Sequence, residues 1–194
     1  MSDVDAEDRR VQRTRAALVG AFVHLVLDRR YDQITVADIV ERAGVGRSTF
    51  YEHYENKDEL LKAGLMGPFA VLADMVVGAS DPARLRETIE HFWENRRVGN
   101  VLFAGPTRQL LTRTLAAAIE QRLAATRPGR AQESGLPASL TSAYLAAGQI
   151  GLLAEWLSGH TSCPADVVAK ALERLAVGAL PSQPAAGQSP FGPR

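Results

Sequence analysis

The sequence has little cysteine and no excess of charge of either sign. Cys163 is the only cysteine among the 194 residues, so neither a disulfide framework nor a cysteine-based metal site can form within the chain. This usage suits a reducing compartment, and we expect a cytoplasmic protein. Lys and Arg together number 22, as do Asp and Glu, so the formal net charge is zero. Net charge therefore gives no sign of a nucleic-acid partner.

A signal peptide and a membrane span are also lacking. The N-terminal MSDVDAEDRR is acidic and has no apolar segment. The interval between Glu133 and Glu155 carries no charge and approaches the length that crosses a bilayer. It nevertheless contains Pro137, Ser142 and Gln149, so a helix buried by protein on several sides is favoured. We expect no membrane partner.

Catalytic and metal-binding patterns are absent as well. His24, His53, His91 and His160 are scattered, without the spacing of a zinc-binding helix. The segment 105–108, GPTR, lacks the glycine and lysine framework of a phosphate-binding loop. We therefore predict that the chain is not an enzyme and that it uses no metal or cofactor.

What the chain does contain is a run of helix signals in residues 34–61. A first helix is predicted over about 9–27, with a buried face of Leu18, Phe22 and Leu25. Thr35 and the acidic residue three positions later form a capping-box pattern that starts a second helix, and Gly44 ends it. A third helix is predicted from about 46–47 to 54, and the asparagine at position 56 caps a fourth. This order is that of a helix-turn-helix.

The remainder also reads as helices, so the fold class predicted is all-α. Gly64, Gly67 and Pro68 predict a kink or break in the fourth helix, of which a kink is favoured. The two interpretations are a hinge between the domains and a simple helix end. Residues 99–105 are interpreted as a connection, and further helices are predicted from residues 81, 106, 137 and 164. Residues 127–135 are predicted to form an exposed loop, and residues 181–194 have the composition of a disordered tail.

These patterns predict two domains. Residues 9–56 form a three-helix domain of the DNA-binding helix-turn-helix class, and residues 57–180 form a second helical domain. The last two helices, 137–157 and the one that begins at Pro164, are more apolar than one small bundle can bury. We therefore expect a homodimer in which this helix pair meets its symmetry mate.

Residues 34–61 resemble the DNA-binding signature of the TetR/AcrR family of transcriptional regulators. The residues that match its pattern in register are Thr35, Val36, Ile39, Ala43, Gly44, Val45, Thr49, Phe50, Tyr51, His53, Lys57 and Leu60. Gly46 stands where the family has a capping serine, so the cap of the third helix should be weaker. The resemblance implies a small-molecule cavity among the predicted helices 4 to 8, so that residues 57–180 form a ligand-binding and dimerisation domain. Occupation of this cavity would reorient the DNA-binding parts of the dimer.

Seven residues of this stretch are predicted to contact DNA. Arg47 and Ser48 lie at the start of the recognition helix, where side chains reach base edges, and arginine can bind guanine in a bidentate way. Thr49, Tyr51 and His53 suit phosphate and sugar contacts, which position the protein. The other two, at helix N-termini that can face phosphate, are Thr35 and Lys57. Phe50 and Tyr54 are predicted to be core residues.

The predicted ligand site rests on polar or aromatic residues that fall on apolar helix faces. The candidates are Phe92, Arg96, Phe103, Arg108, Tyr144, Gln149, Glu155 and Trp156. Arg96 shares a face with Leu85 and Ile89, and a buried arginine needs an anionic partner. That partner could be Glu155 or a ligand carboxylate, while a side chain that reaches solvent at the bundle edge would explain the pattern equally well.

The function predicted is that of a homodimeric repressor that binds a palindromic double-stranded operator and leaves it when a small molecule binds the C-terminal domain. Residues 1–60 hold nine basic and twelve acidic residues, so affinity must come from a local patch around Arg47 and Lys57. The acidic residues 2–8 are expected to stay off the DNA. The alternative is a helical ligand-binding or protein-interaction dimer whose helix-turn-helix does not engage DNA.

Overall fold

The protein is described by a computed structural model that covers residues 3–126 and 136–178, with side chains for 7–126, 136–176 and 178. Every regular element in these ranges is helical, which confirms the all-α class. In chain order the helices are α1 Asp3–Asp28, a one-turn 3-10 helix Tyr31–Gln33, α2 Val36–Ala43, α3 Arg47–Tyr51, α4 Lys57–Val76, α5 Pro82–Glu94, α6 Arg96–Ala104, α7 Arg108–Thr126, α8 Ala138–Leu157 and α9 Ala165–Gly178. The predicted loop 127–135 and the predicted tail 181–194 lie outside the described residues.

The helix ends in the first third of the chain lie where the capping residues predict them. The hydroxyl of Thr35 accepts a hydrogen bond from the backbone N–H of Asp38, whose carboxylate accepts one from the backbone N–H of Thr35. Gly44 ends α2 with a φ of 66°, a left-handed conformation that favours glycine. The side chain of Asn56 accepts hydrogen bonds from two backbone N–H groups and starts α4. These three caps fix the boundaries of the helix-turn-helix.

Helix α1 begins at Asp3, about two turns before the predicted start near Arg9. The predicted face is correct, because Leu18, Phe22 and Leu25 are all buried. This face packs on α2 and also on α4 and α6. The first helix therefore connects the helix-turn-helix directly to the helices that follow it.

Helix α4 runs without interruption through Gly64, Gly67 and Pro68, so a break there is wrong, while the predicted kink stays a prediction. A proline removes one backbone hydrogen bond and crowds the preceding turn, which costs about 3 kcal/mol in a helix interior. Beyond the proline, Phe69 and Met75 are among many buried side chains of α4. Their burial offsets the local cost, and α4 remains one element.

Residues 99–105 are not a connection, because α6 occupies 96–104. Gly99 is buried where α6 meets α8, and a Cβ atom there would lie 2.8 Å from Cδ1 of Leu157. Glycine at this position lets the two helices approach closely. From the sequence alone, the same glycine indicated a connection between helices. The next helix starts at Arg108 rather than at Pro106, since Thr107 donates its hydroxyl back to the carbonyl of Leu102 and closes a turn.

The core is continuous from α1 to α9, but the last two helices keep apolar side chains on the surface. Helices α7 and α8 pack along each other, α6 packs on α8 and α5 packs on α9. Exposed side chains on α8 and α9 include Leu140 at 56%, Tyr144 at 70%, Val167 at 43% and Leu175 at 63%. Among the described helices, none combines the length and the apolar character that crossing a bilayer would require.

Candidate nucleic-acid interface and ligand cavity

Helix α3 separates a buried side from an exposed one within five residues. Phe50 is fully buried and packs its ring against those of Tyr51 and Tyr54, at 5.5 and 5.8 Å between ring centres. Arg47 and Ser48 are exposed, and Tyr51 is 49% exposed. The core prediction for Phe50 and Tyr54 is confirmed. The buried ring anchors a short helix that presents its polar side chains to solvent.

Arg47 and Tyr51 lie one turn apart and contact each other. The guanidinium carbon is 5.7 Å from the centre of the Tyr51 ring, and Nη2 donates a long hydrogen bond of 3.4 Å to the phenol oxygen. A guanidinium held over an aromatic ring gains a cation–π attraction. The pair therefore restricts the arginine to a conformation over the exposed face of α3.

The N-terminus of α3 is open, as the glycine at position 46 predicts. Gly46 supplies no side-chain cap, and the hydroxyls of Ser48 and Thr49 both lie 3.6 Å from where its Cβ atom would be. At the other end of the helix, the His53 ring is half-buried and lies 6.3 Å from that of Tyr54. Backbone N–H groups and two hydroxyls thus share one end of the helix. DNA contacts by these side chains stay predictions.

Thr35 is exposed at the N-terminus of α2, but its hydroxyl already has protein partners. It donates to Oδ2 of Asp38 at 2.6 Å in addition to accepting the capping hydrogen bond. These hydrogen bonds, together with the nearby guanidinium of Arg29 at 3.0 Å, hold the pKa of the Asp38 carboxyl below its ordinary value. The primary role visible for Thr35 is to fix the start of α2.

Lys57 is half-buried and has a role that the sequence does not reveal. Its Nζ donates hydrogen bonds of 2.7 Å to the backbone carbonyls of both Tyr31 and Ile34, and it lies 4.5 Å from the centre of the Tyr31 ring. The ammonium therefore links the segment between α1 and α2 to the start of α4 by hydrogen bonds. The predicted contact between Lys57 and DNA stays a prediction, since two of its three N–H donors already serve the fold.

Tyr31 contacts a residue of α4 on one side and a residue of α1 on the other. Its phenol donates a short hydrogen bond to the carboxylate of Asp58, and its ring meets that of Phe22 edge-on at 6.0 Å between centres. Burial, followed by the hydrogen bond to Asp58, raises the pKa of the Tyr31 phenol above its ordinary value. We call Phe22, Tyr31, Lys57 and Asp58 the α1–α4 cluster. It positions α2 relative to the rest of the chain.

A cavity of about 300 Å³ lies between α1, α4, α5 and α6. Its wall is almost entirely apolar, and the residues that define it include Val19 and Phe22 of α1, Gly64 and Pro68 of α4, Phe92 of α5 and Phe103 of α6. Two of the predicted ligand candidates, Phe92 and Phe103, therefore line this cavity, with their ring centres 5.5 Å apart. The α1 residues belong to the predicted DNA-binding domain, a contribution that sequence reasoning missed.

The other ligand candidates lie elsewhere. Arg96 is exposed rather than buried, and its guanidinium carbon sits 5.1 Å from the centre of the Trp93 ring. Trp93 stacks at 4.9 Å on Trp156, whose indole N–H donates to the carbonyl of Cys163 at 2.9 Å. Arg96 is thus an exposed residue beside an aromatic ring, which agrees with the alternative of a side chain that reaches solvent at the bundle edge. Helix α5, which carries Leu85 and Ile89, ends at Glu94, and Arg96 begins α6, so Arg96 does not continue the apolar face of α5.

The remaining candidates divide into exposed and buried side chains. Arg108, Tyr144 and Glu155 are exposed, and the guanidinium of Arg108 lies across Gly151, with Nη2 3.4 Å from where the glycine Cβ would be. Gln149 is buried, at 4% exposure, and neither of its amide atoms has a hydrogen-bond partner in the part of the chain that the structure describes. Such a buried amide is costly, by about 1–3 kcal/mol.

Comparison with known proteins shows what this arrangement is similar to. The sequence model described as "Bacterial regulatory proteins, tetR family" matches residues 23–63. A solved structure of a TetR transcriptional regulator from Streptococcus agalactiae 2603V is 25% identical, covers 90% of this chain and 99% of that chain, and superposes with a TM-score of 0.54. Residues 23–63 therefore match the DNA-binding region of the TetR family, and the fold of the described residues is that of TetR-type regulators. The similarity in sequence is concentrated in the helix-turn-helix, and the similarity in fold extends over both parts of the chain.

Curated relatives match only part of this chain. The HTH-type transcriptional regulator YxbF of Bacillus subtilis (strain 168) is 42% identical over 76 residues, which is 39% of this chain and 20% of the relative. The dhaKLM operon transcriptional activator DhaS of Lactococcus lactis subsp. lactis (strain IL1403) is 37% identical over 59 residues, 30% of this chain and 32% of the relative. The chain thus spans a fifth to a third of these relatives. All are transcriptional regulators, which supports the prediction that this protein is not an enzyme.

Proposed function

We propose that this protein is a TetR-family homodimeric repressor that binds a palindromic operator through α2 and α3. The observation that carries the proposal is the polar face of α3, where Arg47, Ser48 and Tyr51 are exposed while Phe50 is fully buried beneath them. A recognition helix needs its N-terminal side chains free to reach base edges and its opposite face fixed to the protein. Residues 9–56 form the DNA-binding domain in this proposal, and residues 57–180 the controlling domain.

Arg47 reads a base in this proposal and Tyr51 holds the backbone. The Tyr51 ring keeps the guanidinium near one conformation, so less freedom is lost when Arg47 binds guanine. The Tyr51 phenol is exposed enough to donate to a phosphate oxygen. The other proposed DNA contacts are Thr35, Ser48, Thr49, His53 and Lys57. Of these, Thr35 and Lys57 act through the helix N-termini that they stabilise.

The second copy is proposed to pack on α8 and α9. Tyr144 and Leu175 are among the apolar side chains most exposed to solvent, and they lie on the two helices whose apolar surface exceeds what one chain buries. Large exposed apolar side chains of this kind support the proposal of an interface. A symmetric dimer would place two copies of α3 about 34–36 Å apart, one turn of DNA.

Release from DNA is proposed to follow the binding of a small apolar molecule by the helical domain. The cavity of about 300 Å³ is within the size range of ligand sites. A ligand shifts the population only if it binds the DNA-incompetent conformation more tightly. Since the relative DhaS is described as an activator, the direction of regulation is an outcome of the test.

A footprint on the DNA upstream of the protein's own gene tests the proposal. We expect two protected half-sites about one helical turn apart.

Arg47→Ala should weaken binding by about 1–3 kcal/mol and relax the base preference at one position. Tyr51→Phe, which keeps the ring, should cost about 0.5–1.5 kcal/mol without a change of base preference. Arg113→Ala, which removes an exposed charge on α7, is the matched control.

The alternative function, a helical dimer whose helix-turn-helix does not engage DNA, predicts a different result. No fragment would be protected, and a pool of random duplexes would yield no selected sequence. Equal affinities for wild type, Arg47→Ala and Arg113→Ala would reject the placement of α3 on DNA. The acidic residues 2–8 are tested in the same assay, where their deletion should leave affinity unchanged or tighter.

A further inference from the structure

The walls of the cavity between α1, α4, α5 and α6 define the chemistry of a ligand. None of its lining residues is an Asp, Glu, Lys or Arg, and the polar ones are His91 and Asn95. Both are exposed, His91 on the last turn of α5 and Asn95 directly after it, so the polar groups lie at the mouth and the interior is apolar. A charged ligand would lose its hydration there without gaining a partner charge. The interior therefore selects an uncharged molecule.

Helix α4 contains a backbone carbonyl without its usual helical donor, at a residue that lines this cavity. Pro68 has no N–H, so the carbonyl of Gly64 lacks the donor that a helix normally supplies four residues later. Gly64 and Pro68 both line the cavity. A ligand hydroxyl would supply the missing hydrogen bond, whereas an ether or a bare hydrocarbon would not.

The volume and the aromatic lining limit the size of the ligand. A cavity of about 150 Å³ accommodates benzene, and this one is about 300 Å³. The rings of Phe22, Phe92 and Phe103 line it, and aromatic rings favour offset or edge contacts with another ring. A molecule the size of two fused rings fits these limits.

We propose that this cavity binds an uncharged, hydroxylated molecule of about two fused aromatic rings, and that the α1 wall couples its occupation to the helix-turn-helix. The binding half stands on the cavity alone, and the coupling half rests on the proposed DNA-binding function. The ligand contacts the DNA-binding domain directly, because Val19 and Phe22 belong to α1.

The α1–α4 cluster carries the coupling. Phe22 forms part of the cavity wall and meets Tyr31 edge-on at 6.0 Å. Tyr31 holds the ammonium of Lys57 at 4.5 Å, and that ammonium donates to the carbonyl of Ile34, two residues before α2. A ligand that displaces Phe22 therefore changes how α2 and α3 are seated, without any need to move the later helices.

Three probes of similar size test the chemistry by calorimetry on the full chain at pH 7. They are 2-naphthol, which is uncharged and has a hydroxyl, 2-methoxynaphthalene, which lacks the donor, and 2-naphthoate, which is charged. We expect 2-naphthol to bind, 2-methoxynaphthalene to bind about 5-fold to 10-fold more weakly and 2-naphthoate at least about 10-fold more weakly. No binding of 2-naphthol, or equal binding of 2-naphthoate, would overturn the assignment.

Two matched phenylalanine substitutions on α6 test the location. Val98 lines the cavity, while Val101 lies on the same helix, is 38% exposed and does not line it. Val98→Phe fills the cavity and should weaken 2-naphthol binding at least about 10-fold, whereas Val101→Phe should not change it. Val23→Phe fills the cavity from α1 and replaces Val98→Phe if circular dichroism shows that the latter does not fold. Unchanged binding by a folded, filled variant would overturn the site.

The coupling is measured separately, as the ratio of DNA dissociation constants with and without 2-naphthol. We expect a ratio of about 5 to 150 for wild type and a ratio close to one for Tyr31→Leu, which leaves the cavity wall intact. Binding of 2-naphthol without any change in DNA affinity would overturn the coupling and leave the site. If the protein selects no DNA at all, the proposed function fails, while the calorimetric results still decide the site.

Discussion

The ammonium of Lys57 donates hydrogen bonds to the backbone carbonyls of Tyr31 and Ile34 and lies 4.5 Å from the centre of the Tyr31 ring. Lys57→Met keeps the apolar stem and removes the charge, which should lower the free energy of unfolding by about 1–3 kcal/mol because two carbonyls lose their donor. Urea unfolding at one fixed protein concentration measures it.

The control for that substitution is Lys62→Met, on the same helix. Lys62 forms an exposed ion pair with Glu59 at 2.8 Å, and such pairs contribute less than about 1 kcal/mol. Equal stability of the two variants, with a loss confined to DNA affinity in Lys57→Met, would show that Lys57 serves the nucleic acid and not the fold.

Gly99 and Gly20 should respond in opposite directions to alanine. At Gly99 the new Cβ would lie 2.8 Å from Cδ1 of the buried Leu157, so we expect a loss of about 1–3 kcal/mol despite alanine's better helix propensity. At Gly20, exposed on α1, no atom lies within 4 Å of the new Cβ, and a gain of about 0.5–1 kcal/mol is expected. Thermal unfolding of both variants decides it, and a stabilised Gly99→Ala would contradict the close approach of α6 and α8.

A charge placed on the exposed apolar surface of α8 or α9 should convert a dimer into a monomer. Tyr144→Glu and Leu175→Glu each place a carboxylate in the proposed interface, where it would be desolvated. Light scattering should give twice the chain mass of 20.9 kDa for wild type and the single mass for either variant. Met66→Glu, at an equally exposed methionine on α4, should remain dimeric. A monomeric wild type would reject the proposed dimer.

Asp38 should make the stability of α2 depend on acid pH. Its pKa is lowered in the folded protein by the hydrogen bonds from Thr35 and by Arg29, so its contribution is present above the ordinary carboxyl value of about 3.9. It is lost as the pH falls through the lower, folded-state value. Asp38→Asn should therefore be less stable than wild type at pH 6, with the difference shrinking towards pH 3. Glu41→Gln, an exposed change on the same helix, is the control.

The sequence predicted best those elements whose signals are local. Thr35, Gly44 and Asn56 each act on backbone groups within four residues, so their pattern was sufficient to place the helix ends. Phe50 was also predictable, because its neighbours on α3 set its side of the helix. The family resemblance then gave the role of the whole stretch.

Elements that depend on distant partners were the ones missed. Gly99 indicates a flexible connection unless it is known that Leu157 packs against it. Pro68 indicates a helix break unless the buried side chains beyond it are known. Lys57 matched the family pattern, but its bonds to Tyr31 and Ile34 span more than twenty residues. The cavity needed four helices from separate parts of the chain, so the first helix was not among the predicted ligand contacts.

The stacked pair formed by Trp93 and Trp156 has a spectroscopic consequence. These are the two tryptophans of the chain, and their rings lie 4.9 Å apart on α5 and α8. Intrinsic tryptophan emission therefore comes from a single location, where the guanidinium of Arg96 and the hydrogen bond to Cys163 set its environment. Emission will follow events that separate α5 from α8 and will be silent to local unfolding of α2 and α3, so the two regions can be followed independently without an added dye.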